Sequence, residues 1–156
     1  VGGDTLFVSM IAAYNALSGE MQSIVDNLTC YHDLTFYIQD TIIEEMGIQA
    51  LERIKKENPP VEHPLVCTHP DTGKKALYVN SLFTTHIKGL SKLEGDRLLQ
   101  FLYSHIVSEE HTVRLSWEPQ TIAIWDNRST QHKLVNDFFP QHRKMHRVTI
   151  CGGKPA

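Results

Sequence analysis

A positive charge excess is missing from this 156-residue chain, because fifteen Lys and Arg face eighteen Asp and Glu for a formal net charge of −3. No run of like charge compensates, so the electrostatic footprint of a phosphate-backbone binder is absent and no nucleic-acid partner is expected. Long apolar stretches are missing as well: none approaches the roughly 18 to 20 residues that span a bilayer. The opening Val1-Gly2-Gly3-Asp4 has neither the charged nor the apolar region of an export signal. No membrane partner and a cytoplasmic location are the expectations. Cysteine is scarce: Cys30, Cys67 and Cys151 are odd in number and contain no C-x-x-C, which fits reduced thiols better than a disulfide framework or a zinc site. An initiator Met is also lacking. What remains, 41% hydrophobic and 21% charged residues, is the usage of a globular domain.

Between Phe7 and Leu28 the apolar residues recur at three- and four-residue spacing with a break at Ser18-Gly19, which predicts two short helices, the second capped by Ser18. Residues 40–56 are polar and helix-compatible, are expected to be exposed, and must end at Asn58-Pro59-Pro60. Residues 64–68 and 75–80 read as extended runs flanking the turn cluster His69-Pro70-Asp71-Thr72-Gly73, a hairpin. Ser91-Lys92-Leu93-Glu94 is a capping box, and Leu93, Leu98, Leu99, Leu102, Tyr103 and Ile106 supply the buried stripe of the helix it starts. The remainder reads as strands over 111–117, 121–126, 131–135 and 145–151. The expected fold class is α+β with a barrel or jelly-roll core and helices set apart.

Period two would place Arg143, Met145, Arg147 and Thr149 on one face of the last strand, with the arginines about 13 Å apart. A guanidinium cannot shed its charge, so an inward-pointing Arg needs an anion; the alternatives are a structural ion pair or a solvated edge. His132 begins a strand eleven residues before Arg143. Among nine histidines a single one is by default structural, and spacing alone does not single it out. A non-haem iron oxygenase needs two imidazoles and one carboxylate on one face of the metal. The single His-x-Asp here is His69-Pro70-Asp71, and its proline and following Thr-Gly make it a hairpin tip expected to project both side chains to solvent.

Taken together, Gly2-Gly3-Asp4-Thr5-Leu6, His63-Pro64 with His69-Pro70-Asp71-Thr72-Gly73, Tyr78-Val79-Asn80 with Phe83-Thr84-Thr85, Trp125-Asp126-Asn127-Arg128-Ser129-Thr130-Gln131-His132, and His142-Arg143 with Met145-His146-Arg147-Val148-Thr149 resemble the taurine dioxygenase family of iron(II)- and 2-oxoglutarate-dependent oxygenases. The resemblance runs from Val1 to Pro155. It implies a double-stranded β-helix (jelly roll) with flanking helices and a helical insert at about residues 10–60. It implies that His132 is the distal iron ligand and catalytic centre, and that Arg143 and Thr5 hold the far carboxylate of the cosubstrate 2-oxoglutarate. It further implies that Arg147 faces the anionic group of the substrate and that Phe83 walls its pocket. Helix capping for Thr5 and plain packing for Phe83 are the structural alternatives. The implied reaction consumes dioxygen and hydroxylates a small organosulfonate such as taurine, releasing sulfite, with succinate and carbon dioxide as co-products; an alkyl sulfate or an aryloxyalkanoate is the alternative substrate. A homo-oligomer is the expected assembly. The family's other histidine and its aspartate lie upstream of the Gly-Gly-Asp-Thr string, where this sequence starts. The chain is therefore expected to be the C-terminal portion of one dioxygenase domain, inactive alone. A metal-free jelly-roll binding or structural domain is the rival from another class.

Overall fold

The computed structural model describes residues 2–153. Strand β1 (Thr5–Ser9) rises from the Gly-Gly-Asp segment and runs directly into helix α1 (Met10–Asn15), where Ser9 accepts the Ala12 N–H at 3.2 Å. Helix α2 (Gly19–Val25) follows, and Ser18 caps it by accepting the Met21 N–H, as the sequence predicts. Strand β2 (Thr29–His32) comes next, inside the stretch expected to be a helical insert, which is therefore not wholly helical. Helices α3 (Gln39–Met46) and α4 (Ile48–Glu57) are separated by Gly47, whose φ of 84° belongs to the left-handed region that glycine enters freely. Ile42 and Leu51 are buried, so one side of this segment is covered and only the other meets solvent.

Strands β3 (Val61–Pro64) and β6 (Thr84–Ile87) flank β2 in an antiparallel sheet of order β3-β2-β6. The hairpin consists of β4 (Val66–Thr68) and β5 (Lys75–Leu77), shorter than expected because Pro64 belongs to β3 and residues 78–80 leave the ladder. Helix α5 (Lys92–Ile106) carries the complete capping box, with Ser91 accepting the Glu94 N–H and the Glu94 carboxylate accepting the Ser91 N–H at 2.9 Å. Leu99, Leu102 and Ile106 are buried, but Leu93 is 67% exposed, because it sits in the first turn before the helix meets the core.

A 3-10 turn (Glu109–His111) leads into β7 (Thr112–Leu115), and β8 (Thr130–Leu134) completes a second antiparallel sheet of order β7-β1-β8. The core fills the space among α1, α5 and the hairpin, with Leu65, Leu77, Val79, Ile87 and Leu102 almost fully buried.

The strands expected over 121–126 and 145–151 are not strands. A strand exists only where a neighbour accepts its ladder of hydrogen bonds, and no described residue pairs with either segment. Their apolar residues stand in solvent: Ile122, Ile124, Val148 and Ile150 are 85% to 93% exposed. The common strand face expected for Arg143 and Arg147 falls with the strand. Among the described residues no helix is long and apolar enough to cross a membrane.

Leu102 is fully buried in the core cluster, so Leu102→Ala is expected to cost about 2 to 5 kcal/mol in urea unfolding of the intact protein. A cost below ~1 kcal/mol would show that this helix face does not carry the core.

Candidate active site

The register of the second sheet sets the site. Residues directly opposed in an antiparallel pair project to the same face. Phe7 faces His132 and Thr5 faces Leu134 across β1 and β8, so Thr5, Phe7 and His132 share one face. The His132 ring packs against Trp125 with centroids 5.1 Å apart and against Phe7 at 6.0 Å, and Phe7 and Trp125 touch each other at 5.0 Å. One side of the imidazole is thus held by aromatic rings while its outer edge remains exposed. Partial burial pushes the His132 pKa below its ordinary value, and the charge of Arg147 pushes it the same way. The neutral imidazole that results is the form able to donate a lone pair to a metal.

Thr5 is buried, and its hydroxyl accepts a hydrogen bond from the Trp117 indole N–H at 2.9 Å. It does not cap α1; Ser9 does. Arg143 lies against the start of β1: its Nε donates to the Gly3 carbonyl at 3.1 Å, and its guanidinium sits 5.9 Å from the centre of the Phe138 ring. Thr5, His132 and Arg143 therefore gather about the β1 and β8 strands, and Arg147 is felt there through its charge on His132.

Phe83 stands in the other sheet's connection. Its N–H donates to Asn80 Oδ1 at 2.8 Å, and its ring lines a cavity of about 390 Å³ with His32, His63, Leu34 and Pro59. His32 and His63 contact edge to face at 5.1 Å, and Tyr78 stacks on His32 at 5.2 Å. Burial, and secondarily the charge of His63, push the His32 pKa down to about 4. Burial likewise pushes the Cys30 thiol up to about 12 and Cys67 up to about 11, so both are protonated packing groups and not thiolate nucleophiles.

The His69-Pro70-Asp71 turn departs from expectation in one half. Asp71 is exposed, but His69 is 7% exposed, because its Nε2 reaches Asp126 at 2.9 Å. The Thr72 N–H donates to His69 Nδ1, which assigns the proton to Nε2 and makes His69 the donor to Asp126. Arg128 binds Asp126 through two nitrogens and reaches Asp71 at 2.8 Å. Arg128 first, and His69 second, hold the Asp126 carboxyl well below the usual carboxylate range. This clasp ties the hairpin turn to the turn that leads into His132. Among the described residues no group of three His, Cys, Asp or Glu could hold a metal ion, so the described residues do not by themselves form a three-ligand facial site.

Phe7, Trp117 and the His32–His63–Tyr78 cluster escape the reading of the sequence. Phe7 and Thr5 are separated by one residue in a run of β-formers, so recognising 5–9 as a strand would have put them on one face.

The chain belongs to the family described as taurine catabolism dioxygenase TauD, TfdA, whose model matches residues 1–149. An alpha-ketoglutarate-dependent sulfonate dioxygenase of Saccharomyces cerevisiae is 37% identical over 159 residues, which cover 99% of this chain and 37% of the yeast protein. An alpha-ketoglutarate-dependent sulfate ester dioxygenase of Pseudomonas putida is 36% identical over 159 residues, covering 99% of this chain and 52% of that protein. The solved structure of AAD-2 in complex with Mn(II) and N-oxalylglycine superposes with a TM-score of 0.80 at 32% identity, over 99% of this chain and 59% of that one. The chain thus spans about half or less of the curated relatives it matches.

The pKa of His32 makes stability depend on pH. The unfolded chain takes up a proton near 6.5 that the folded chain refuses until about 4. The contribution is therefore complete above pH 6.5 and is lost as pH falls toward 4. About 2 to 3 kcal/mol should disappear over that window, and His32→Gln should flatten this part of the stability profile in urea unfolding at stepped pH. An unchanged slope in the variant would place the titration elsewhere.

Proposed function

We propose that the intact protein is an iron(II)- and 2-oxoglutarate-dependent dioxygenase that hydroxylates a small organosulfonate such as taurine at the carbon bearing the sulfonate. The fold proposed for its dioxygenase domain is a double-stranded β-helix. The observation that carries this reading is the convergence of His132, Thr5 and Arg143 on paired strands β1 and β8 in a chain of this family.

In this reading His132 is one ligand to the metal, its ring fixed by Phe7 and Trp125. When bound, iron(II) supplies the centre at which 2-oxoglutarate and dioxygen react to give succinate and carbon dioxide. Arg143 clamps the far carboxylate of 2-oxoglutarate, since a planar guanidinium matches a carboxylate through parallel hydrogen bonds. The Thr5 hydroxyl already accepts from Trp117, so its own hydrogen is free to donate to that carboxylate. Arg147 meets the substrate's sulfonate, and Phe83 is assigned the aromatic wall of the substrate pocket by the family resemblance. The 1-hydroxysulfonate formed then loses its O–H proton as the C–S bond breaks, leaving an aldehyde and sulfite.

A sulfate ester is the second reading, favoured by the Pseudomonas putida relative, because Arg147 binds sulfate through the same geometry as sulfonate. An aryloxyalkanoate carboxylate would be the third anion of suitable shape.

Oxygen uptake by the intact protein with iron(II), 2-oxoglutarate and, in turn, taurine, an alkyl sulfate and an aryloxyalkanoate tests the assignment. Taurine-dependent uptake with sulfite release is the expected result; uptake with only one of the others would move the substrate class, and none at all would contradict the reaction. Arg143→Ala should weaken 2-oxoglutarate by about 2 to 5 kcal/mol. An unchanged KM for 2-oxoglutarate would return Arg143 to a structural role.

A further inference from the structure

The segment preceding β1 lies close against Arg143, with no room for a side chain at residue 3. Gly3 has a φ of 77°, and a Cβ added there would lie 2.8 Å from Arg143 Cδ and 2.9 Å from Arg143 Nε, closer than any such contact tolerates. The absence of a side chain at residue 3 is what lets the arginine stem lie across the backbone and donate to the Gly3 carbonyl at 3.1 Å. Gly3 is itself pinned from the other side, because its N–H donates to Asp137 Oδ1 at 2.7 Å. Asp137 also faces Arg114 at 3.7 Å, and Arg114 binds Asp4 at 2.7 Å, with the Ser116 hydroxyl donating to the same Asp4 carboxylate. Residue 3 is thus held through its N–H by a carboxylate that is itself in a charge network, and it presents its carbonyl to Arg143 Nε. Gly2 tightens the same approach: its Cβ would lie 2.7 Å from the Asp137 carbonyl oxygen.

We infer that Gly3, fixed by Asp137, is a positioning residue for 2-oxoglutarate binding: it sets where the Arg143 guanidinium stands and hence how well the cosubstrate carboxylate is clamped. The inference rests on the role proposed above for Arg143. It differs from that role in its physical content, because Gly3 touches no cosubstrate and acts only through the arginine. Holding Nε on the Gly3 carbonyl directs the two terminal nitrogens outward as a fork, and a shift of about 1 Å in such a fork is enough to lose most of its binding advantage.

The test is a double-mutant cycle in the intact protein, read as the Kd of 2-oxoglutarate for the Mn(II)-loaded form by calorimetry, with the Mn(II) affinity measured alongside. Gly3→Ala should weaken 2-oxoglutarate by about 10- to 100-fold and leave Mn(II) binding unchanged. In an Arg143→Ala background the same Gly3→Ala change should alter the Kd by less than about 2-fold, because the side chain it pushes is gone. If the effects of the two changes multiply, the glycine acts through backbone strain and not through the arginine, and the inference is overturned. Wild-type affinity in Gly3→Ala would overturn it equally. If Arg143→Ala alone leaves the Kd unchanged, it is the assignment of Arg143 that fails, a result distinct from either of the others. Should Gly3→Ala not fold, Asp137→Ala removes the pin without adding a Cβ or changing the backbone. It should weaken 2-oxoglutarate several-fold in the presence of Arg143 and have no effect in its absence; an effect that persists without Arg143 would overturn the inference.

Discussion

Everything at the candidate site depends on β1 being hydrogen-bonded along both edges. With β7 on one side and β8 on the other, the five residues from Thr5 to Ser9 cannot slide, since a shift by one residue would turn Thr5 and Phe7 to the opposite face and break both ladders at once. That register brings Phe7 beside His132 and Thr5 beside Leu134, although the partners are separated by well over a hundred residues in the chain. It also fixes the Gly-Gly-Asp segment just ahead of β1, and with it the surface on which Arg143 lies.

Ionic contacts then lock the segments that the sheets leave free. Asp4 with Arg114 fastens the start of β1 to β7, and the clasp of His69, Asp126, Arg128 and Asp71 fastens the loop before β8 to the β4–β5 turn. Each of these pairs is partly solvated, and such pairs contribute modestly to stability. Their effect here is geometric: the first holds the start of the strand that carries Thr5, and the second holds the loop that leads into His132. The thiols of Cys30 and Cys67 play the opposite part, buried and protonated, and half-buried His32 is held neutral beside them, so none of the three carries a charge there.

Local signals in the sequence translated directly into structure. The capping box at Ser91 and Glu94 marks the start of α5, and Ser18 marks α2, because a cap involves residues only three apart and needs nothing from the rest of the chain. The hairpin about residues 69–73 was legible for the same reason. Strands β1, β2 and β6 were not, since each is short and owes its existence to partners distant in sequence. The same dependence runs the other way for 121–126 and 145–151, whose alternating apolar residues look like strands and have no described partner. The candidate roles of His132, Arg143, Arg147, Thr5 and Phe83 came from the family resemblance; spacing alone left His132 one histidine among nine. His69 was misplaced at the solvent face because a turn sequence says where the backbone bends and not which carboxylate, here Asp126, approaches from elsewhere.

The central claim is that His132, and not the His69-Pro70-Asp71 turn, supplies a metal ligand. Mn(II) binding to the intact protein, followed by electron paramagnetic resonance, separates the two directly. His132→Ala should lose high-affinity Mn(II), whereas His69→Ala should bind it as the wild type does. Retention of wild-type Mn(II) affinity in His132→Ala, or its loss in His69→Ala, would contradict the account.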